Sequence, residues 1–365
     1  MTPQLSVIIP VRNGADFIER AIASARSIPA APIEIVVIDD GSTDGTASLL
    51  QRLGAQDERL VVLRRNHDHG AAAARNAGIR AARGKLICFL DADDILHSAA
   101  IARRLAWHEA HPETVLSFAN YETLLPDGTI EPRFAAYWPR FEKFLAKREG
   151  MIDLGPDAFD LLFGENPVCT TGVIARRAAL LAVHGFARDL RQAEDWDLWI
   201  RLARCGGVAY STSTEALHTA RAGSLSTDID ERTQHIVKVV SRHIKFAFRH
   251  HPSSALAALC AVKIARAEQA RFADNNIAAL VNYIFGFIIN PSIPLARHVI
   301  RSVAVLLGFR SAGPATFEQR ARLVSSRVSF ANAVICEPSQ TSSRKGVRAV
   351  SCLNESLGIP ESGQV

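Results

Sequence analysis

Short apolar runs alternate with helical spacings along the first hundred residues. Leu5–Pro10 (L-S-V-I-I-P) and Ile33–Ile38 (I-E-I-V-V-I) are largely β-branched runs, the pattern of strands buried on both faces. Between them, Ala15–Ser27 sets Phe17, Ile18, Ala21, Ile22 and Ala25 at helical spacing and stops before Pro29, which makes a βαβ unit. Thr46–Leu53 predicts the next helix, with Ser42 or Asp44 available as its cap. Leu60–Leu63 predicts a third strand, Ala71–Ala82 an alanine-rich helix ended by Gly84, and Leu86–Leu90 a fourth strand. Strands alternating with helices imply a mostly parallel, Rossmann-like α/β sheet covered on both faces, with ligands bound beyond the strands' carboxyl ends. The polar residues that follow each strand are therefore the candidate chemistry.

From Ser98 the spacing predicts a helix to about Ala110, a strand at Thr114–Phe118 and a hairpin turning at Asp127–Gly128. Residues 131–165 are aromatic and charged without a clear period, which reads as a variable loop or short helices over the site. Arg176–His184 and Asp195–Cys205 have helical spacing, the second with Trp196, Trp199, Ile200 and Leu202 for packing, and a short strand is expected at Val208–Tyr210. Beyond Asp230 the chain is helical with interruptions at Pro252, Pro291 and Pro294; after about Phe330 it turns Ser-rich and polar, the composition of a disordered tail. The expected organisation is an α/β domain over 1–230, a helical C-terminal subdomain over 231–330 and a tail over 331–365.

Composition narrows the class. A chain of 365 residues, 48% apolar and 22% charged, can bury a full core and is neither wholly disordered nor a multi-span membrane protein. No basic segment or cleavable apolar stretch precedes Leu5, so a cytoplasmic location is expected. The six cysteines (Cys88, Cys169, Cys205, Cys260, Cys336 and Cys352) include no C-x-x-C pair, which points to reduced thiols rather than a zinc site or disulfide framework. The net charge of +5 hides an asymmetry: residues 232–330 hold 14 Lys and Arg against 3 Asp and Glu, whereas residues 1–231 carry −6. An acidic N-terminal part suits a metal and a site of carboxylates; a basic C-terminal part suits an anionic surface. There Ile277–Ile289 spans 13 residues and Val299–Phe309 fewer, short of the roughly 20 a spanning helix needs. Two readings stay open for this region: a subdomain packed on the core, or peripheral contact with the inner face of a membrane.

Two acidic segments follow predicted strands. Asp39-Asp40-Gly41-Ser42-Thr43-Asp44-Gly45 follows the second strand and, taken alone, reads as a turn and helix cap. Asp91-Ala92-Asp93-Asp94 follows the fourth, so three carboxylates meet at one strand end. Crowded carboxylates raise one another's pKa unless a cation or hydrogen-bond donors neutralise them, and a divalent metal is the economical explanation. Oxygen-only ligands with open positions suit Mg2+ or Mn2+ shared with substrate phosphates.

With Ser6-Val7-Ile8-Ile9-Pro10 and the stretch Gly70 to Asp94 (G-A-A-A-A-R-N-A-G-I-R-A-A-R-G-K-L-I-C-F-L-D-A-D-D), these segments resemble the family 2 glycosyltransferases of the GT-A fold, in order and spacing, across roughly residues 4–226. The resemblance implies an inverting transfer from a nucleoside-diphosphate sugar to a glycan, lipid-linked sugar or related surface polymer. It places Pro10, Arg12 and Asn13 in the nucleotide pocket, and gives Asp40, with Asp39 beside it, a hydrogen bond from the base. A uracil or thymine ring has an N–H to offer, which favours UDP- or dTDP-sugars. It puts Arg75 and Asn76 near the base or diphosphate, although an arginine on an alanine-rich helix is as readily solvated. Asp91 resembles the residue that holds the ribose and the metal's waters; Asp93, across Ala92, resembles the direct metal ligand; Asp94 is left as a cap for the next helix.

The resemblance continues at Gly185-Phe186 and at Glu194-Asp195-Trp196-Asp197-Leu198-Trp199. Alone, the second segment reads as an acidic N-cap on an amphipathic helix; in the family the Glu-Asp pair supplies the base. Asp195 is then the general base toward the acceptor hydroxyl, Glu194 stands on the acceptor side, and Asp197 is expected to face solvent. Thr170 and Thr171 lie where the family has small residues near the acceptor. One departure concerns the family's Tyr-Arg-x-His pattern, where this chain has His218-Thr219-Ala220-Arg221, so that Arg221 takes the histidine's place near the diphosphate. Two rivals are weighed. A nicotinamide-dependent dehydrogenase lacks its G-x-G-x-x-G, since Pro10-Val11-Arg12-Asn13-Gly14 follows the first strand. An inactive nucleotide-sugar-binding or scaffold protein is opposed by intact Asp91, Asp93 and Asp195.

Overall fold

The structure, a computed structural model, describes residues 2–29, 32–131, 138–220, 229–289, 291 and 293–307. Arg221 and the tail over 331–365 lie outside the described residues.

In chain order β1 (Leu5–Val11), α1 (Ile18–Arg26), β2 (Ile33–Asp40), α2 (Thr46–Gln56), β3 (Leu60–Arg65), α3 (Ala71–Ala81) and β4 (Leu86–Phe89) form successive strand–helix units. The strands pair in parallel in the order β3-β2-β1-β4. Alternation along the strands divides the core between two layers. Val7, Ile9, Ile35 and Val37 pack with Ile18, Ala21, Ile22 and Ala25 of α1 and Leu49, Leu50 and Leu53 of α2. Ile8, Val36 and Ile38 pack with Ala72, Ala74 and Ile79 of α3 on the other face. The alanine-rich helix sits close: a Cβ at Gly78 would meet Ile8 Cγ2 at 2.6 Å and Ile38 Cδ1 at 2.8 Å.

The rest of the sheet is built from distant pieces. After β5 (Ile95–Leu96) and α4 (Ser98–Ala110) come β6 (Thr114–Leu124), β7 (Ile130–Glu131), α5 (Pro139–Leu145), β8 (Met151–Asp153), a 3-10 turn, α6 (Ala158–Gly164), β9 (Ile174–Arg176), α7 (Arg177–Ala182), α8 (Glu194–Ala203) and β10 (Gly207–Thr219). The sheet continues β4-β9-β6-β10-β5, with β9 antiparallel to β4 and β6, and β10 parallel to β6. Three sequence expectations are corrected here. The helix expected from Arg176 starts later, because Ile174–Arg176 is a strand inserted between β4 and β6. The strands expected at Thr114–Phe118 and Val208–Tyr210 run on to Leu124 and Thr219, because each gains its partner from the other.

The C-terminal helices are α9 (Ile229–His250), α10 (Pro252–Phe272), α11 (Asn276–Ile289) and α12 (Ile293–Leu306). Pro252 and Pro294 stand in first turns, where a missing N–H costs nothing. Ile236, Val239, Val240, Ala255, Ala258 and Val262 of α9 and α10 share one cluster with Phe159 and Phe163 of α6 and Trp196 and Ile200 of α8. A separate cluster of Cys260, Ile264, Ala267, Ala279, Tyr283 and Leu295 joins α10 to α11 and α12.

Candidate active site

The parallel strand order reverses between β1 and β4, the switch point beyond which such sheets bind ligands. Three strand ends surround it. At the end of β1, Pro10 is half-buried, Arg12 is exposed and donates to Asp68 (2.7 Å), and Asn13 adopts φ 51°. That turn is pinned to the end of β2: Asn13 N–H donates to Ser42 Oγ (2.9 Å) and Asn13 Oδ1 accepts from Thr43 N–H (2.8 Å). Asp44 takes the Thr46 N–H at 3.0 Å, in the first turn of α2. Asp39 and Asp40 are buried. Asp39 Oδ1 accepts from Ser42 N–H (2.9 Å), and Asp40 Oδ2 accepts from His69 and Gly70 N–H, both at 3.0 Å. Asp39 Oδ2 and Asp40 Oδ1 are buried without a hydrogen bond; Arg64 at 3.8 Å and Arg65 at 3.1 Å are the cations beside them.

Beyond β4, Asp91 and Asp93 are half-buried on either side of buried Ala92. Asp94 is not a cap. It is buried, accepts from Thr171 Oγ1 (2.5 Å) and Thr219 N–H (2.8 Å), and lies 3.1 Å from His218 Nδ1, so it fastens this loop to β10 and to the Thr170-Thr171 segment. Thr171 Oγ1 also accepts from Asp91 N–H (3.1 Å).

Arg75 reaches this loop from α3. It is buried rather than solvated, with Nη2 2.6 Å from Asp91 Oδ1 and Nη1 2.8 Å from Glu194 Oε1. Its guanidinium also lies 5.4 Å from the Phe186 ring. Burial works against its charge, but Asp91, Glu194 and Asp195 together outweigh that and hold its pKa above the usual arginine range. The same crowding acts on Glu194: burial first, then Asp195, push it up to about 7 against the pull of Arg75. Asn76, expected near the base or diphosphate, spends both ends of its amide on the Phe186 backbone, at 2.8 Å each. Gly185 fits above it at φ 65°, where a Cβ would collide with Asn76 Oδ1.

Asp195 stands second in α8, whose N-cap Ala193 takes a left-handed φ of 58° without glycine's freedom. Its Oδ2 accepts from Thr170 Oγ1 (2.8 Å) and its Oδ1 from Trp196 N–H (2.7 Å), so both oxygens are oriented. Adjacent threonines thus touch the two acidic motifs, Thr170 the Glu-Asp pair and Thr171 the strand-end loop. The expectation that Asp197 faces solvent is overturned. It is 1% exposed and binds Arg201 (2.8 Å) and His243 Nε2 (3.0 Å), tying α8 to α9. The signal was present, because Trp196, Leu198, Trp199, Ile200 and Leu202 leave this helix no wet side. A second buried pair has no signature in the local sequence: Arg104, fully buried, binds Glu215 (2.6 Å) and the carbonyls of Ser117 (3.2 Å) and Gly172 (2.5 Å).

Comparison with known proteins decides the family. The model of glycosyl transferase family 2 matches residues 6–167. The succinoglycan biosynthesis protein ExoO of Rhizobium meliloti is 30% identical over 68% of this chain and 69% of its own. The chain belongs to this family. A glycosyltransferase of Bacillus subtilis named for teichuronic acid biosynthesis, TuaG, is 34% identical over 36% of this chain, a match that spans only 52% of that relative. Among solved structures, Staphylococcus aureus TarS in complex with UDP-GlcNAc superposes with a TM-score of 0.55 at 17% identity, over 84% of this chain and 92% of that one. A mannosyltransferase from Pyrobaculum calidifontis in complex with GDP-Man and Mn2+ superposes at 0.54 and 20% identity, over 90% of this chain and 87% of that one. At these identities the transferase shares the fold of both, a sheet flanked by helices with a helical C-terminal region.

Proposed function

We propose that the chain is an inverting, metal-assisted glycosyltransferase of cell-surface polysaccharide synthesis, moving a sugar from a nucleoside diphosphate to a hydroxyl of a glycan or lipid-linked acceptor. The observation that carries this reading is Arg75, which spans Asp91 of the strand-end loop and Glu194 of the Glu-Asp pair and so sets the donor-side and acceptor-side acids within one guanidinium's width. The names of the relatives, for succinoglycan and teichuronic acid, support the polymer class.

Asp195 is the general base. Its oxygens are aligned by Thr170 and the Trp196 N–H, and it takes the acceptor hydroxyl's proton as that oxygen bonds to the anomeric carbon. The bond from that carbon to the nucleoside diphosphate breaks on the opposite face, which inverts the centre. Arg75 binds Glu194 Oε1 at 2.8 Å and so holds that carboxyl in place beside the base. Asp39 Oδ2 and Asp40 Oδ1, each lacking a hydrogen bond, are the acceptors for a base N–H. Uracil and thymine offer one; guanine does too, so the base is a matter for the assay. Among the described residues no group of three His, Cys, Asp or Glu forms a metal cage. The half-buried carboxylates of Asp91 and Asp93 fit a hard cation whose remaining ligands come from phosphates and water. Mg2+ or Mn2+ held there would neutralise charge developing on the diphosphate.

The test is a panel of UDP-, dTDP- and GDP-sugars scored for metal-dependent protection against thermal unfolding, followed by NMR of the product's anomeric configuration. Inversion, together with loss of most turnover in Asp93→Ala or with chelator, is expected. A retained configuration would sink the single-displacement reading, and full activity in excess chelator would sink the metal.

A further inference from the structure

Helices α11 and α12 leave two apolar stripes in water. On α11, Ile277, Val281, Ile284, Phe285 and Ile288 recur at helical spacing and are 39 to 67% exposed. On α12, Ile300, Val303 and Leu307, just past its end, are 37 to 68% exposed. The opposite side of α11 is already spent: Ala279, Tyr283 and Gly286 turn inward, Tyr283 bonding Glu268 of α10 through its hydroxyl. Single exposed apolar side chains are ordinary on a protein surface, but eight arranged in two stripes mark a binding surface.

The charge around the stripes selects the occupant. Residues 276–306 contain no Asp or Glu, while Arg297 and Arg301 stand exposed on α12 and Lys263 Nζ lies 5.0 Å from the Phe285 ring. Residues 232–307 hold 10 Lys and Arg against 2 Asp and Glu, and of those acids Glu268 is paired with Arg271. A second copy of the chain would bring the same uncompensated cations together across the contact. Anionic lipid complements both the cations and the apolar stripes. No helix among the described residues is long and apolar enough to cross a membrane, so these helices would lie along the interface.

We infer that α11 and α12 form a membrane-docking element that seats the enzyme on an anionic bilayer surface. The binding stands on this surface alone; only its purpose, holding the site within reach of a lipid-linked acceptor, rests on the proposed function. The experiment is co-sedimentation of the full chain with phosphatidylcholine vesicles with and without phosphatidylglycerol, at low and high salt. Binding only to the anionic vesicles is expected, weakening as salt rises. Arg297→Gln with Arg301→Gln should lower vesicle affinity by about 10-fold or more, and Ile284→Ser with Ile288→Ser should do the same, while both variants keep the wild-type melting temperature and nucleotide binding. A chain that stays in the supernatant with anionic vesicles at low salt overturns the inference. So does light scattering that finds a dimer which the isoleucine changes dissociate. Vesicle binding without sugar transfer would leave this inference standing and sink the proposed function.

Discussion

The parallel half of the sheet, β1 to β4, and the mixed half, β9, β6, β10 and β5, use their carboxylates in opposite ways. At the end of β2, Asp39 and Asp40 are buried and each keeps one oxygen without a hydrogen bond; beyond β4, Asp91 and Asp93 are half-buried, with Asp91 bound by Arg75. Asp39 and Asp40 are held by backbone N–H groups at the mouths of neighbouring turns. In the mixed half two buried acids hold segments together: Glu215 binds Arg104 across 111 residues, and Asp197 of α8 binds His243 of α9 as well as Arg201 of its own helix. Asp94 sits at the join, and Thr171 and Thr219 use it to fasten one half to the other. Carboxylates that look alike in sequence thus differ in their partners: on the proposed function those of the first half serve the site, while Glu215 and Asp197 are bound by buried cationic or imidazole side chains.

The largest effect should come from breaking a scaffold pair. Arg104→Ala removes one partner of a fully buried ion pair and leaves Glu215 uncompensated, a change that typically costs about 3–5 kcal/mol. Chemical denaturation should report it as a lowered midpoint. If Arg104→Ala is as stable as the wild type, the mixed half is not held by its charges and the contrast fails.

Next comes the one acid of the second half assigned to chemistry. Asp195→Asn is nearly isosteric and can still accept from Thr170, so stability and donor affinity should survive while kcat falls by about 100-fold or more. A variant with near-normal kcat would make Asp195 one more scaffold residue.

Asp197 should show its role through pH. Burial alone would raise its pKa, but the hydrogen bond from His243 and the charges of Arg201 and His243 outweigh burial and set it below the usual 3.8. A carboxyl whose pKa is lower folded than unfolded binds its proton more weakly in the native state. Its contribution is therefore present above about pH 4 and lost as the pH falls through the folded value. Asp197→Asn should cost about 1–3 kcal/mol at neutral pH and flatten the acid limb of stability against pH. An acid limb identical to the wild type would remove Asp197 from the α8–α9 link.

The same division explains what was legible in the sequence. The elements of the parallel half could be read because each strand announces itself by a continuous apolar run and pairs with close sequence neighbours, so Asp39 and Asp91 were found at strand ends. The second half was harder because β9 is three residues long and is a strand only by virtue of partners more than fifty residues away. β10 looked short because its middle is polar and its ladder shifts register. Asn76 followed the same logic. Its place in the A-R-N motif pointed to a ligand, while the Phe186 backbone that occupies its amide lies 110 residues on.

The smallest expected effect is the sharpest test of the parallel half. Arg12 pairs with Asp68 at 2.7 Å, but their side chains are 52% and 39% exposed. Exposed pairs of this kind contribute about 0–1 kcal/mol, so Arg12→Ala should leave the denaturation midpoint almost unmoved. If Arg12 serves the nucleotide instead, the same change should raise the donor KM by about 10-fold with kcat little altered, the loss of a charge-assisted hydrogen bond. Asp68→Ala separates the two roles. It removes the pair but frees the guanidinium, so donor affinity should hold or improve. Were Arg12→Ala and Asp68→Ala to destabilise the fold equally and leave the donor KM alone, the end of β1 would be scaffold after all, and the line between the halves would have to be drawn beyond it.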